Sequence, residues 1–125
     1  MLTELTIKDF ISKVISNDPV PGGGSVSALN GALAAALSAM VANLTVGRKK
    51  YVEVNDLMQE LSARFEKLSQ KLIEDVDRDS DAYNRVFAAF KLPKETDEEK
   101  QVRSEAIQRE TKYAAQVPME VARAV

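Results

Sequence analysis

From Pro19 to Gly47 the chain has no charged residue, a run long enough to cross a bilayer. It opens on three consecutive glycines and is built mainly of alanine, with Ser25, Ser27, Asn30, Ser38, Asn43 and Thr45 interspersed. That composition is only weakly hydrophobic, so a membrane span is not the expected reading. Ala28, Ala32, Ala35, Ala39 and Ala42, with Gly31 beside them, instead line a smooth face that lets a neighbouring helix approach closely. A buried central helix is therefore expected from about Ser25 to Val46. Gly47 suits its C′ position, and Arg48, Lys49 and Lys50 just beyond complement the negative end of its dipole.

The rest of the chain has helical periodicity as well. Ile7, Phe10, Ile11, Val14 and Ile15 fall on one face of a helix over about Thr6 to Ser16, with Thr6 and Asp9 as a capping pair. Asn17-Asp18-Pro19-Val20-Pro21-Gly22-Gly23-Gly24 then interrupts it with missing amide donors and free glycine torsions. Met58, Leu61, Phe65, Leu68, Leu72, Val76, Tyr83, Val86 and Phe90 recur at three- and four-residue steps up to Leu92-Pro93, predicting a helix of roughly 35 residues, about 50 Å long. Thr96-Asp97-Glu98-Glu99 is a capping box opening a further helix, whose apolar face is Val102, Ala106, Ile107, Tyr113, Ala114 and Val117. Pro118 should kink that helix or begin another. The fold class expected is all-α, a single domain over 1–125.

The 125 residues include neither cysteine nor histidine, which removes thiol nucleophiles, histidine-based triads, disulfides and the common zinc sites at once. Chemistry is left to carboxylates, lysine, hydroxyls, tyrosine and backbone amides. With 17 basic against 19 acidic residues there is no basic footprint for nucleic acid or an anionic membrane. The N-terminal MLTELTIKDF has neither the basic start nor the apolar run of a signal peptide, and a cytoplasmic location is expected.

Three constellations could support function. The long third helix has a gap in its stripe: the rhythm from Leu72 and Val76 calls for an apolar residue at 79, and Asp79 stands there. At 100° per residue it points within about 20° of Leu61, Leu68, Leu72, Val86 and Phe90. A carboxyl on an apolar face is desolvated, so its pKa rises and it can hold a proton as a general acid. The competing explanations are an ion pair with a cation from another helix, or a helix end projecting past its partners. Asp77 and Asp81 lie near the opposite side of the helix and Asp75 at the edge of the stripe, and these three can be ordinary solvated charges. Next, Pro21-Gly22-Gly23-Gly24-Ser25 leads into a helix N-terminus, where amides can approach an anion; it lacks the features of a P-loop or dinucleotide fingerprint and equally suits a tight interhelical connection. Finally, Gly47-Arg48-Lys49-Lys50-Tyr51 could hold a carboxylate-rich ligand or simply compensate a helix dipole. The second helix is about 33 Å long, so its glycine end and its basic end cannot both reach one reacting centre in one subunit. In an antiparallel hairpin of the second and third helices, Asp79 comes to the level of the glycines, and Lys49 must then come from a second subunit.

These same residues resemble the formiminotetrahydrofolate cyclodeaminase and methenyltetrahydrofolate cyclohydrolase family. Pro21-Gly22-Gly23-Gly24-Ser25 with Met40-Val41-Ala42-Asn43-Leu44-Thr45, then Gly47-Arg48-Lys49-Lys50-Tyr51, Asp77-Arg78-Asp79-Ser80-Asp81-Ala82-Tyr83 and Lys91-Leu92-Pro93-Lys94 match it in order. The resemblance implies an all-α bundle of long, mainly antiparallel helices, a homodimer, and chemistry on the one-carbon unit between N5 and N10 of tetrahydrofolate without metal or other cofactor. It implies Asp79 as the catalytic acid and Lys49 as the basic catalytic position, with Pro21, Gly22, Gly23, Gly24, Ser25 and Arg48 binding substrate. The family domain continues through further helices, so the expectation is a cyclodeaminase-like domain lacking its C-terminal helices. The rival from a different class is a noncatalytic helical oligomerisation module.

Overall fold

A computed structural model describes all 125 residues. Four α-helices follow one another with no strand: α1 (Ile7–Ile15), α2 (Gly23–Thr45), α3 (Asn55–Phe90) and α4 (Asp97–Ala124), with short 3-10 turns at Leu2–Glu4 and Lys49–Val54. The expected bounds of α1 and α2 hold within two residues, with the largest difference at the start of α2. There Gly22 is the N-cap and Gly23 and Gly24 already form the first turn. Thr6 caps α1 by accepting from the Asp9 amide at 3.1 Å, and Thr96 and Glu99 form the reciprocal capping box of α4. Gly47, at φ 77°, is the left-handed C′ residue of α2, a conformation that a Cβ would strain. α4 runs through Pro118 as one helix, so no new helix begins there.

α3 is the spine, packed by α2 on one side and α4 on the other. Hydrogen bonds fix α2 antiparallel to it: Ser62 to Asn43 at 2.5 Å, Ser69 to the Ala32 carbonyl at 3.0 Å, and Ser25 to the Val76 carbonyl at 2.7 Å. α4 returns antiparallel on α3, with Arg85 paired to Glu110 and Arg78 to Glu120. All five alanines of the expected α2 face are buried, and Ala28 and Ala32 form one core cluster with Phe10, Leu72, Val76 and Val121. With methyl-sized side chains along the contact, the α2 and α3 backbones come close enough for serine hydroxyls to bridge them.

Three expectations about burial are corrected. On α1 only Phe10 is buried, whereas Ile7 and Ile15 are about four-fifths exposed, because α1 is perched at the edge of the α2–α3 layer with nothing on its outer side. Tyr83 and Phe90 on α3 and Val102 on α4 are exposed, since at that end α3 has only α4 beside it. Asp75, expected in solvent, is 1% exposed.

Candidate functional site

Asp79 lies on the side of α3 that faces the first turn of α2. Its carboxyl sits so close over Gly24 that a Cβ at that position would overlap it. The Ser25 hydroxyl is 3.4 Å from Asp79 Oδ2 and is itself held by the Val76 carbonyl and the Ser80 hydroxyl, both at 2.7 Å. Burial pushes the Asp79 carboxyl above the ordinary aspartate range, while hydrogen bonds from the Ser25 hydroxyl and amide pull the other way and fall short. No cation pairs with Asp79, so the ion-pair explanation for its place in the stripe is removed.

The glycine segment is brought to this carboxyl, but its members differ in role. Pro21 is buried and Gly22 ends the loop as N-cap. Ser25 is fully buried and turned toward α3, so its side chain positions Asp79 rather than facing open space. The amides of Gly23 and Gly24 belong to the first turn, which leaves them without helical acceptors. They open onto a groove of about 720 Å³ between the start of α2 and the end of α4, walled by Ser27, Pro118, Val121 and Val125. Gly24, part of one wall of this groove, is also the residue over which the Asp79 carboxyl rests. A more apolar cavity of about 480 Å³ lies between α1 and α2, away from any titratable group.

Arg48 and Lys49 are not part of this cluster. α2 has 23 residues, about 33 Å, and the two basic residues follow its opposite end. Arg48 donates through Nε to the Leu44 carbonyl at 3.2 Å, which is the dipole-compensating geometry weighed against ligand binding. Lys49 is exposed and has no carboxylate within 4 Å.

Two charged clusters escaped the sequence reading. Asp75 is buried between Lys71, at 2.9 Å, and Arg78, at 3.4 Å, and Arg78 passes on to Glu120 of α4. The signal was present in the spacing: Lys71 four residues before and Arg78 three residues after share the helix face of Asp75. Asp77 accepts from the Leu2 amide at 2.6 Å and the Thr3 hydroxyl at 2.5 Å, tying the N-terminal turn to α3. Between α3 and α4, Glu110 is buried beside Arg85 and Arg109, at 2.8 and 3.2 Å, and Arg85 stacks over the Tyr113 ring. These pairs join helices and do not face the groove.

Residues 6–125 match the model of the formiminotransferase-cyclodeaminase family. The chain is 43% identical over 114 residues to a methenyltetrahydrofolate cyclohydrolase of Methylorubrum extorquens, covering 91% of the chain and 55% of that protein. It is 36% identical over 124 residues to the formimidoyltransferase-cyclodeaminase of Rattus norvegicus, covering 99% of the chain and 23% of that protein. The fold superposes on the crystal structure of formiminotetrahydrofolate cyclodeaminase from Thermotoga maritima with a TM-score of 0.82 at 34% identity, over 99% of this chain and 58% of that one. The chain thus spans little more than half of the single-function relatives it matches. With the four-helix architecture, the match along nearly the whole chain places this protein in the formiminotransferase-cyclodeaminase family.

Proposed function

We propose that the protein acts on the one-carbon unit of tetrahydrofolate, converting 5-formiminotetrahydrofolate to 5,10-methenyltetrahydrofolate with release of ammonia. The observation behind this reading is the Asp79 carboxyl, unpaired by any cation, desolvated and held by Ser25 against the free amides of the α2 N-terminus. N10 attacks the formimino carbon on N5, its proton passing to the imine nitrogen, and a tetrahedral carbon results. Protonated Asp79 then delivers its proton to the leaving nitrogen, the carbon–nitrogen bond breaks, ammonia departs and the methenyl cation forms. A carboxyl whose pKa is raised retains that proton closer to neutrality, which makes it a better acid for this step. The Gly23 and Gly24 amides would bind polar or anionic parts of the folate, with Pro21 and Gly22 shaping the approach. Lys49 and Arg48 would attract the glutamate carboxylates, or Lys49 would act at the pterin. The reaction as written requires no metal or further cofactor.

Hydrolysis of the methenyl compound to the formyl compound is the second reading, favoured by the name of the relative that is 43% identical. It passes through a similar tetrahedral carbon, and Asp79 would serve it equally. The test follows methenyl absorbance in the near ultraviolet with each folate supplied separately. Growth of the signal with ammonia release establishes cyclodeaminase activity; enzyme-dependent loss from supplied methenyltetrahydrofolate establishes cyclohydrolase. No change with either substrate in the folded protein would leave the noncatalytic helical module as the better account.

A further inference from the structure

The fully buried Ser25 hydroxyl meets three oxygens: the Val76 carbonyl and the Ser80 hydroxyl, each at 2.7 Å, and Asp79 Oδ2 at 3.4 Å. Counting protons gives the two short contacts a direction. Each needs a hydrogen between its oxygens, a carbonyl has none to give, and each serine has one. Ser25 therefore donates to Val76. Ser80, itself buried and with no other partner for its hydroxyl, then donates to Ser25. Were the Ser80 bond reversed, the Ser25 proton would be used up on Ser80 and none would remain for Val76 or Asp79.

The Ser25 proton has two acceptors in reach. The shorter contact places it on the Val76 carbonyl, since 3.4 Å is long for a hydroxyl-to-carboxylate bond. That carbonyl does not depend on it: α3 is helical from Asn55 to Phe90, so the Ser80 amide bonds to Val76 within the helix. Asp79 needs it as soon as it ionises, because the carboxyl is desolvated and the charges around it are engaged elsewhere. α2 has no charged residue, Glu120 of α4 pairs with Arg78, Asp75 with Lys71 and Arg78, and Glu4 with the terminal amine. Asp77 holds the N-terminal turn, and Asp81 and Arg123 are exposed. A rotation of the Ser25 O–H with a small approach separates the two arrangements. A donor that meets the charge only as it forms favours the transition state over the ground state.

We propose that Ser80 is a positioning residue: by donating to Ser25 it leaves the one Ser25 proton to rest on the Val76 carbonyl while Asp79 is protonated, and to turn to the Asp79 carboxylate once that proton has gone to the leaving nitrogen. Its part in turnover rests on Asp79 acting as the acid of the proposed reaction; the chain of donors from Ser80 through Ser25 does not.

Carbon NMR titration of the Asp79 carboxyl, assigned by its absence in Asp79→Asn, reads the donor chain without turnover. A donor to the carboxylate favours the charged form, so its loss raises the midpoint. Ser25→Ala should raise it by about one pH unit, and Ser80→Ala, which weakens the Ser25 donor without removing it, by about half as much. Ser80→Thr, which keeps the hydroxyl, should return it toward wild type. Ser69→Ala removes another hydroxyl that joins α3 to α2, at the Ala32 carbonyl and about 16 Å along α3 from Ser80, and should leave the midpoint unchanged. Should Ser80→Ala not fold, Ser80→Cys, of similar shape and weaker as a donor, is titrated in its place. With 5-formiminotetrahydrofolate, Ser80→Ala should lower kcat about fivefold at a KM near that of wild type, and its alkaline limb should move up with the NMR midpoint. A midpoint unmoved in Ser80→Ala, an equal move in Ser69→Ala, or a Ser80→Thr no closer to wild type than Ser80→Ala overturns the role of Ser80, and in a protein that turns over it leaves the reaction standing. Midpoints that move as expected in a protein that turns over neither folate overturn the proposed reaction and the part of Ser80 in it, and leave the donor chain standing.

Discussion

The Asp79 carboxyl rests directly over Gly24, in the space that any side chain at that position would need. This contact joins the middle of α3 to the N-terminus of α2 and connects the two sequence motifs through one carboxyl. It also explains why a glycine belongs at that turn when the backbone there is ordinary helix.

Gly24→Ala should therefore dislodge Asp79 and lower turnover at least about tenfold, a displacement of roughly 1 Å being enough for losses of that order. Gly23→Ala, one residue earlier, meets nothing within 4 Å and should leave the rate near that of wild type. Steady-state rates and melting temperatures of the two variants make the comparison; equal losses in both would detach the effect from Asp79.

Asp79→Asn should remove about 10² to 10⁴ of the rate, the range for a positioned general acid, with the fold intact. Its stability signature is distinctive. The folded-state pKa of Asp79 lies above its unfolded value, so protonation favours the fold, an effect fully present below the unfolded pKa and lost as pH rises through the folded pKa. The asparagine variant, which has no charge to desolvate, should be at least as stable as wild type at neutral pH, and this advantage should shrink as pH falls through the carboxyl range. Urea unfolding at a series of pH values measures it, and a variant less stable at neutral pH than in acid, relative to wild type, would contradict the desolvated carboxyl.

Arg78→Ala should destabilise the fold by about 2 kcal/mol, below the 3 to 5 kcal/mol seen for fully buried pairs because Arg78 is about one-third exposed and Lys71 still faces Asp75. Chemical denaturation reads this directly. The double variant Arg78→Ala with Glu120→Ala should cost little more than Arg78→Ala alone, since both remove the same α3–α4 tie.

Glu110 provides a pH dependence of opposite sign to that of Asp79. Burial pushes its carboxyl up, but hydrogen bonds and charges from Arg85 and Arg109 outweigh this and hold it below the ordinary glutamate range. Its contribution is thus present above the unfolded glutamate pKa and lost as pH falls through the folded one. Thermal melts of wild type and Glu110→Gln should differ most near neutrality and converge in acid; parallel curves would remove Glu110 from the acid response.

By itself the sequence determined the helices, their caps and the faces they turn inward. Thr6, Thr96 and Gly47 terminate helices through bonds or torsions that involve only a few neighbouring residues. The alanine face of α2 and the apolar gap at Asp79 are equally local, since both follow from a turn of 100° per residue. Periodicity says which way a side chain points and nothing about what stands opposite. The spacing therefore does not reveal that Lys71, Arg78 and the returning α4 enclose Asp75, or that most of the apolar face of α1 has no element beyond it. Only the tertiary structure decided that Asp79 faces Gly24 without a cation, that Ser25 orients it, and that Lys49 lies at the far end of α2. Those outcomes depend on the packing distance between helices distant in sequence, which the alanines permit and the interhelical hydrogen bonds set.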